Sequence, residues 1–429
     1  MSLPCVTVPG PGLTELEASP KVNSSLGLLL SDRRLDRVTL ALAVCTAPLS
    51  IAVSETFLFS ALLARTVRLV RHRTLVSFPR ILWFWVAWAA LEILSWLFSP
   101  DLRAGRGEIS HLFLLAVLFV ALPALDQARY RVAAWRGVFI AATISSTFLI
   151  GEFVFRLIHY SRQISVSPDP ILYIRVGGLL NHWMIYGTVE ILVFAGLLAF
   201  WNSFPEDRKA WLPVYVLNSL AIILSMTRML WVCCLLLLGI DLAWRRSKWV
   251  WALPFLPLAF LLLAPGVLRT RLRESLDPEY YSNAERVQML RVGWKMVKDH
   301  PLTGVGPGRI EALYVNYLAP KEPVPAYHGH LHDNLVQLAA EFGLPVVAAA
   351  LAFVVALGNE LRKQWKTARN RETLLLCRVS ILGLIGFVAS GFFDYTYGHS
   401  LGLIVVSFAV LTPLLPTIEA ASSSAGAGI

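Results

Sequence analysis

The sequence predicts an all-α polytopic membrane protein, on three observations. The 429 residues are 56% hydrophobic and only 15% charged, where a soluble chain is about 45–50% apolar and about 25% charged. The apolar excess is gathered into blocks of roughly 17–25 residues, the length that crosses a bilayer core of about 30 Å as a helix. Lys and Arg collect in alternate short connections, as they do on the cytoplasmic side of a membrane.

About twelve spans are expected, near 38–53, 55–70, 78–99, 107–125, 134–156, 177–201, 211–227, 229–244, 248–265, 333–357, 375–393 and 400–417. The first two are parted only by Ser54 and Glu55 and read as a hairpin; Thr227 and Arg228 part the seventh from the eighth. With the N-terminus inside, the short inside loops hold 19 Lys and Arg and the short outside loops 6, so both termini are expected in the cytoplasm. The expected organisation is therefore a cytoplasmic segment 1–36, nine spans over 37–265, an outer loop 266–332, three spans over 333–418 and a flexible tail 419–429. No cleavable leader is evident, and the first span is expected to act as an uncleaved anchor.

The net charge of +10 follows from the loop bias, so no nucleic-acid partner is expected. The cysteines Cys5, Cys45, Cys233, Cys234 and Cys377 have no CxxC spacing, so neither a disulfide framework nor a zinc site follows from them. A structureless loop as long as 266–332 would be unusual, and this one carries internal signals. Ser282 with Glu285 reads as a capping box. Val287, Leu290, Trp294 and Val297 follow as a helical stripe, which should stop before Pro301. "PLTGVGPG" (301–308) is turn-rich, and 310–318 reads as a second short helix. The loop is expected to fold as a helical cap. "GVGPG" lacks the spacing and the preceding strand of a nucleotide loop.

Ionisable groups at a membrane are costly and mark either function or pairing. Four places on the outer side qualify. Arg228, in "SMTRMLW", is either an interfacial arginine or an anion contact. Arg286, near the start of the cap helix, is either a solvated face or an anion ligand, with Arg291 and Arg309 of the same type. "YHGHLHDNL" (327–335) would align His328, His330 and His332 on a strand as metal ligands. Without a further acidic cluster, His332 reads instead as a general base at the membrane–water boundary. Asp394, in "GFFDYTYGHS", is either a turn residue or an acid that orients a histidine or pairs with an arginine.

The run 286–310 followed by 330–344 resembles the O-antigen ligase and polymerase superfamily. The shared pattern is an arginine, a helix, a Pro-Leu-x-Gly-Val-Gly turn and a histidine-led segment. His332, Asp333, Leu335, Gln337, Glu341 and Gly343 fall on that last segment. "MTR" (226–228) and "RVGGLLNHWMIYG" (175–187) resemble two further family turns. Asp333 stands where the family more often has Asn or Ser.

The resemblance implies a GT-C-like glycosyltransferase of the bacterial inner membrane in Gram-negative cells. Its donor would be O-antigen on undecaprenyl pyrophosphate, and its acceptor a sugar hydroxyl of lipid A–core. His332 would activate the acceptor, and Arg228 and Arg286 would bind the pyrophosphate. Arg175, Arg291, Arg309, His330, Asp333, Asn334 and Asp394 are further candidates in support, and no metal or cofactor is implied. An O-antigen polymerase or a protein O-oligosaccharyltransferase would share fold and donor. A metal or solute transporter would need ionisable residues deep in several spans; Glu152, Asn181 and His182 are the candidates.

Overall fold

A computed structural model of the protein describes residues 33–73, 78–163, 173–264 and 266–415. Most of the expected N-terminal segment, with Cys5, and the C-terminal tail lie outside the described residues. Those described are helical with no strand, and five helices have the length and apolarity to cross a membrane. The protein is an all-α polytopic membrane protein.

The helices are α1 (Arg33–Thr46), α2 (Ile51–His72), α3 (Leu82–Leu97), α4 (Arg106–Ala121), α5 (Ala128–Gln163), α6 (Trp183–Ser203), α7 (Arg208–Leu224) and α8 (Arg228–Trp244). They continue as α9 (Phe255–Leu263), α10 (Gly266–Leu276), α11 (Tyr281–Asp299), α12 (Ile310–Leu313), α13 (Asn334–Phe342), α14 (Leu344–Thr367), α15 (Arg371–Ser390) and α16 (Ser400–Leu411). The five long apolar ones are α4, with its short extension to Ala124, α5, α6, α14 and α15; α3 and α16 are apolar but shorter.

Helix α6 is the axis of the bundle. In its apolar window 78% of residues are buried, against 22% in α14, so α6 faces protein where α14 faces lipid. Small residues bring its neighbours close. A Cβ on Gly386 of α15 would lie 2.7 Å from Ile191, and one on Gly402 of α16 2.7 Å from Thr188.

Three boundaries differ from those expected. The first hairpin turns at Pro48 rather than at Ser54–Glu55; Ser54 lies inside α2, buried, and its hydroxyl donates to Ala43 O at 2.7 Å. The expected ninth span, 248–265, is a short 3₁₀ helix, Lys248–Ala252, followed by the nine residues of α9. Pro254 is the N-cap of α9, where its missing N–H costs nothing, and nine residues reach about 13 Å, too short to cross. The expected tenth span breaks at Gly343, at φ +89°; α13 belongs to the cap, and the span is α14.

The cap is built on α11, which does stop before Pro301. It starts at Tyr281, however, with no side-chain cap, so Ser282 and Glu285 form no capping box. Met289, Val292, Met296 and Val297 pack against Leu331, Ala339 and Ala340 as a second, smaller core. Within the cap, the GVGPG turn ties the segment after α11 to α13. Val305 N–H donates to Ala340 O at 2.8 Å and Gly306 N–H to Glu341 O at 3.1 Å, which satisfies the last carbonyls of that helix.

Candidate active site

His332 sits one residue before the N-cap of α13. Asp333 is that cap, its carboxylate accepting from Leu335 N and Val336 N at 2.9 Å each. Asp333 is therefore a structural cap rather than the partner of His332. His332 itself is left-handed, at φ +52°, a strained conformation that persists where its surroundings enforce it. This turn aims the ring at Asp394: Nδ1 lies 2.8 Å from Asp394 Oδ1. An ionised carboxylate only accepts, so a proton is on Nδ1, and in the neutral ring Nε2 carries the lone pair.

Asp394 lies between α15 and α16 and is 1% exposed. Burial alone would raise its carboxyl, but the hydrogen bond from His332 and the neighbouring His399 hold it down at about 2. Asn334 pins the loop that carries it. Its N–H donates to Gly391 O at 2.6 Å, its amide to Thr396 Oγ1 at 2.9 Å, and its Oδ1 accepts from Tyr397 N at 3.2 Å. Tyr395 adds a fourth tie, donating to Glu108 Oε2 of α4 at 2.7 Å.

His399, which the sequence reading did not single out, lies beyond the acid, with Nε2 3.8 Å from Asp394 Oδ2. Its Nδ1 is 3.2 Å from Thr188 Oγ1, whose own proton goes to Met184 O. The carboxylate is thus flanked by two imidazoles. The available signal was the five-residue spacing inside one polar turn between two apolar runs.

The row of three histidines does not assemble on a strand. His328 turns to Pro325 O at 3.1 Å and packs beside Tyr314. His330 meets His332 edge to face at 4.2 Å, and its Nδ1 is buried without a hydrogen-bond partner. His330, His332 and Asp394 each bring one ligand atom within 4.8 Å of the others, a set that could hold a metal ion.

Four arginines converge beside these groups. Arg228, the first residue of α8, donates to Asn283 Oδ1 at 2.6 Å and Ser282 Oγ at 3.2 Å. Arg286 lies in the second turn of α11 and makes no hydrogen bond or ion pair among the described residues. Arg175 stacks over the Trp183 ring at 4.2 Å, its Nε buried without a partner. Arg271, which the sequence reading passed over, is 2% exposed and pairs with Glu274 at 2.9 Å. Burial, followed by repulsion from Arg271, Arg286 and Arg228, lowers Arg175 to about 9. Burial likewise lowers Arg286, opposed by the attraction of Asp394. Arg175, Arg228 and Arg286 have no ion pair among the described residues, and clustered positive charge in partly buried space suits an anion.

Other expected residues lie apart. Arg291 is ion-paired with Glu322, and Arg309 donates to Val305 O at 2.7 Å beside a separate cavity. Glu152 is taken up structurally, pairing with Arg156 and accepting Gly178 N–H at 3.3 Å. Glu92 and Glu190, buried within α3 and α6, were missed. An apolar cavity of about 170 Å³ runs from Asn334 down between α3, α14, α15 and α16, lined by Trp88, Leu338, Phe353 and Phe387.

Fold and site together define a membrane protein in which four arginines and a histidine–carboxylate pair meet beside a helical cap. Residues 213–351 match the family model described as O-Antigen ligase. This stretch is similar to the O-antigen ligase family, which points to a glycosyl-transferring enzyme of O-antigen and lipopolysaccharide assembly. The match contains Arg228, Arg271, Arg286 and His332; Arg175, Asp394 and His399 join from outside it. No curated protein matches the chain.

Proposed function

We propose that the protein is an O-antigen ligase that transfers a polysaccharide from undecaprenyl pyrophosphate to a sugar hydroxyl of lipid A–core, on the periplasmic face of the inner membrane. The observation that carries this reading is the His332–Asp394 pair, with Nε2 left free, set beside four arginines. The acceptor hydroxyl oxygen attacks the anomeric carbon and gives its proton to His332 Nε2. The bond from that carbon to the phosphate oxygen breaks, and the carrier pyrophosphate leaves with the electron pair. Attack opposite the leaving group inverts the anomeric configuration. Asp394 holds the imidazole and stabilises the imidazolium.

The leaving group needs charge stabilisation more than a proton, and fixed guanidinium groups supply it. Arg286, with no competing partner, and Arg228 are assigned to the pyrophosphate, supported by Arg175. The apolar cavity below Asn334 suits part of the carrier's lipid chain. The cap shields the cleft from water, favouring transfer over hydrolysis. The test is complementation of a strain lacking the protein with His332→Ala. Loss of long-chain lipopolysaccharide on a gel, with the protein still present in the membrane, is expected; a retained ladder removes His332 from the mechanism. An accumulating single-repeat product would point instead to a polymerase.

A further inference from the structure

A second cavity lies at the other end of the cap. It measures about 770 Å³, within the usual range of ligand sites. Its walls are the last turns of α11, the Thr303–Gly306 turn, the residues after α12 and the connection that follows α3. Three cations line it, Lys295, Lys298 and Arg309, against one carboxylate, Asp299. None of the three cations forms an ion pair among the described residues, although Glu322 and Asp101 are within electrostatic reach of Lys295 and Arg309. Lys295 Nζ donates only to Tyr317 O, at 2.9 Å. Asn316 and Tyr317 add an amide and an aromatic face, the pairing of polar groups and rings that suits a sugar.

The position adds to the argument. Arg286 and Lys298 lie on the same helix, twelve residues apart, so about 18 Å separates them along α11. A glycan whose reactive end lies at His332 and Arg286 would need several sugar units to reach this cavity.

We infer that this cavity is a subsite for an anionic sugar, one bearing a phosphate or carboxylate, within the oligosaccharide bound for transfer. The inference rests on the transferase reading for its role in the reaction, though not for binding itself. Acceptor and donor glycans share this chemistry, and the test separates them. In purified full-length protein, the triple variant Lys295→Gln, Lys298→Gln, Arg309→Gln should raise the KM for an acceptor carrying its anionic groups by roughly tenfold, about the loss of one good charged contact. An acceptor stripped of those groups should show the raised KM already and be insensitive to the substitutions. If the donor KM rises in place of the acceptor KM, the subsite holds the donor glycan. Direct binding of a phosphorylated trisaccharide, compared with its neutral counterpart by thermophoresis, decides the matter independently of turnover. Equal binding of both probes, with both KM values unmoved by the triple variant, would overturn the inference. Absent transfer with intact probe binding would sink the proposed activity and leave the subsite standing.

Discussion

His332 and Asp394 face each other across a gap of 62 residues, with Nδ1 2.8 Å from Oδ1, and each is held by a different piece of backbone. The Asp333 cap and the left-handed turn fix the imidazole; Asn334 and Tyr395 fix the carboxylate. Asn334 follows His332 by two residues, so the segment that carries the base also positions its acid. The pair is therefore a single rigid unit rather than two side chains that meet by chance.

The pair should fail as a unit. Asp394→Asn replaces an acceptor with an amide that can also donate, so the imidazole is free to carry its proton on the wrong nitrogen. Transfer by the purified protein is expected to fall roughly 10²–10⁴-fold. His332→Ala should fall as far, and the double variant little further. Asp394→Asn with more than a tenth of wild-type turnover would show that the carboxylate is not needed to orient the base.

The arginines should resist replacement by lysine. Arg286→Ala is expected to lower kcat/KM by about 100-fold or more, and Arg286→Lys to recover only part, because an ammonium is a point charge without the planar fork. Arg228→Lys would in addition lose its two-pronged hold on Ser282 and Asn283. Full activity of both lysine variants with a native pyrophosphate donor would show that a paired, planar contact is the wrong picture.

The bundle was legible because apolar blocks report helices directly, and the end of the cap helix because Pro301 is a local signal; of its expected stripe only Val297 is buried, while Val287, Leu290 and Trp294 are exposed and Met289, Val292 and Met296 face the core instead. What was not legible came from distance or from breaks. The sequence reading left Asp394 undecided because its partner lies 62 residues away. The end of α13 at Gly343 was hidden because glycine and proline interrupt an apolar run without making it less apolar. Arg271 looked like one more basic residue of the outer loop, since only the fold shows that it is buried beside Met226 O at 3.3 Å. Glu190 vanished inside "TVEILVF", where a single acid barely alters the hydropathy of the window.

His330, His332 and Asp394 stand close enough to hold a cation, while the proposed chemistry draws its positive charge from arginine. A strong chelator added to purified enzyme is therefore expected to leave the transfer rate within a factor of about two, since no step asks a metal for Lewis-acid help. Inhibition by the chelator that zinc reverses, and that His330→Ala abolishes, would assign the trio to a metal.

His330 gives the pH dependence of stability a direction. Burial, and after it the neighbouring His332, hold its imidazole down at about 4, against an ordinary value of 6.5. Between those values the unfolded chain binds more protons than the folded one, so stability should fall as pH drops from about 6.5 towards 4. Asp394, depressed from 3.8 to about 2, acts in the same sense only below that range. Thermal unfolding in detergent at pH 7 and pH 5 should show the loss, and His330→Phe should reduce it. An unchanged slope in that variant would place the sensitive group elsewhere.

Gly304 tests why the GVGPG turn is built of glycine. Its φ is +66°, and a Cβ there would lie 2.3 Å from the backbone of Glu341, which cannot yield as a side chain would. The same approach brings Val305 N–H to Ala340 O, so any retreat breaks the bond that seals the end of α13. Gly304→Ala should cost more than the roughly 1–2 kcal/mol of the left-handed conformation alone, seen as a large fall in melting temperature or in yield on size exclusion. Gly107→Ala and Gly358→Ala, with nothing within 4 Å of the added carbon, are the controls. Both lie within helices, where alanine is favoured over glycine by about 0.5–1 kcal/mol. If Gly304→Ala melts with these controls, the turn does not depend on that close approach, and the contact between the turn and α13 is looser than the geometry requires.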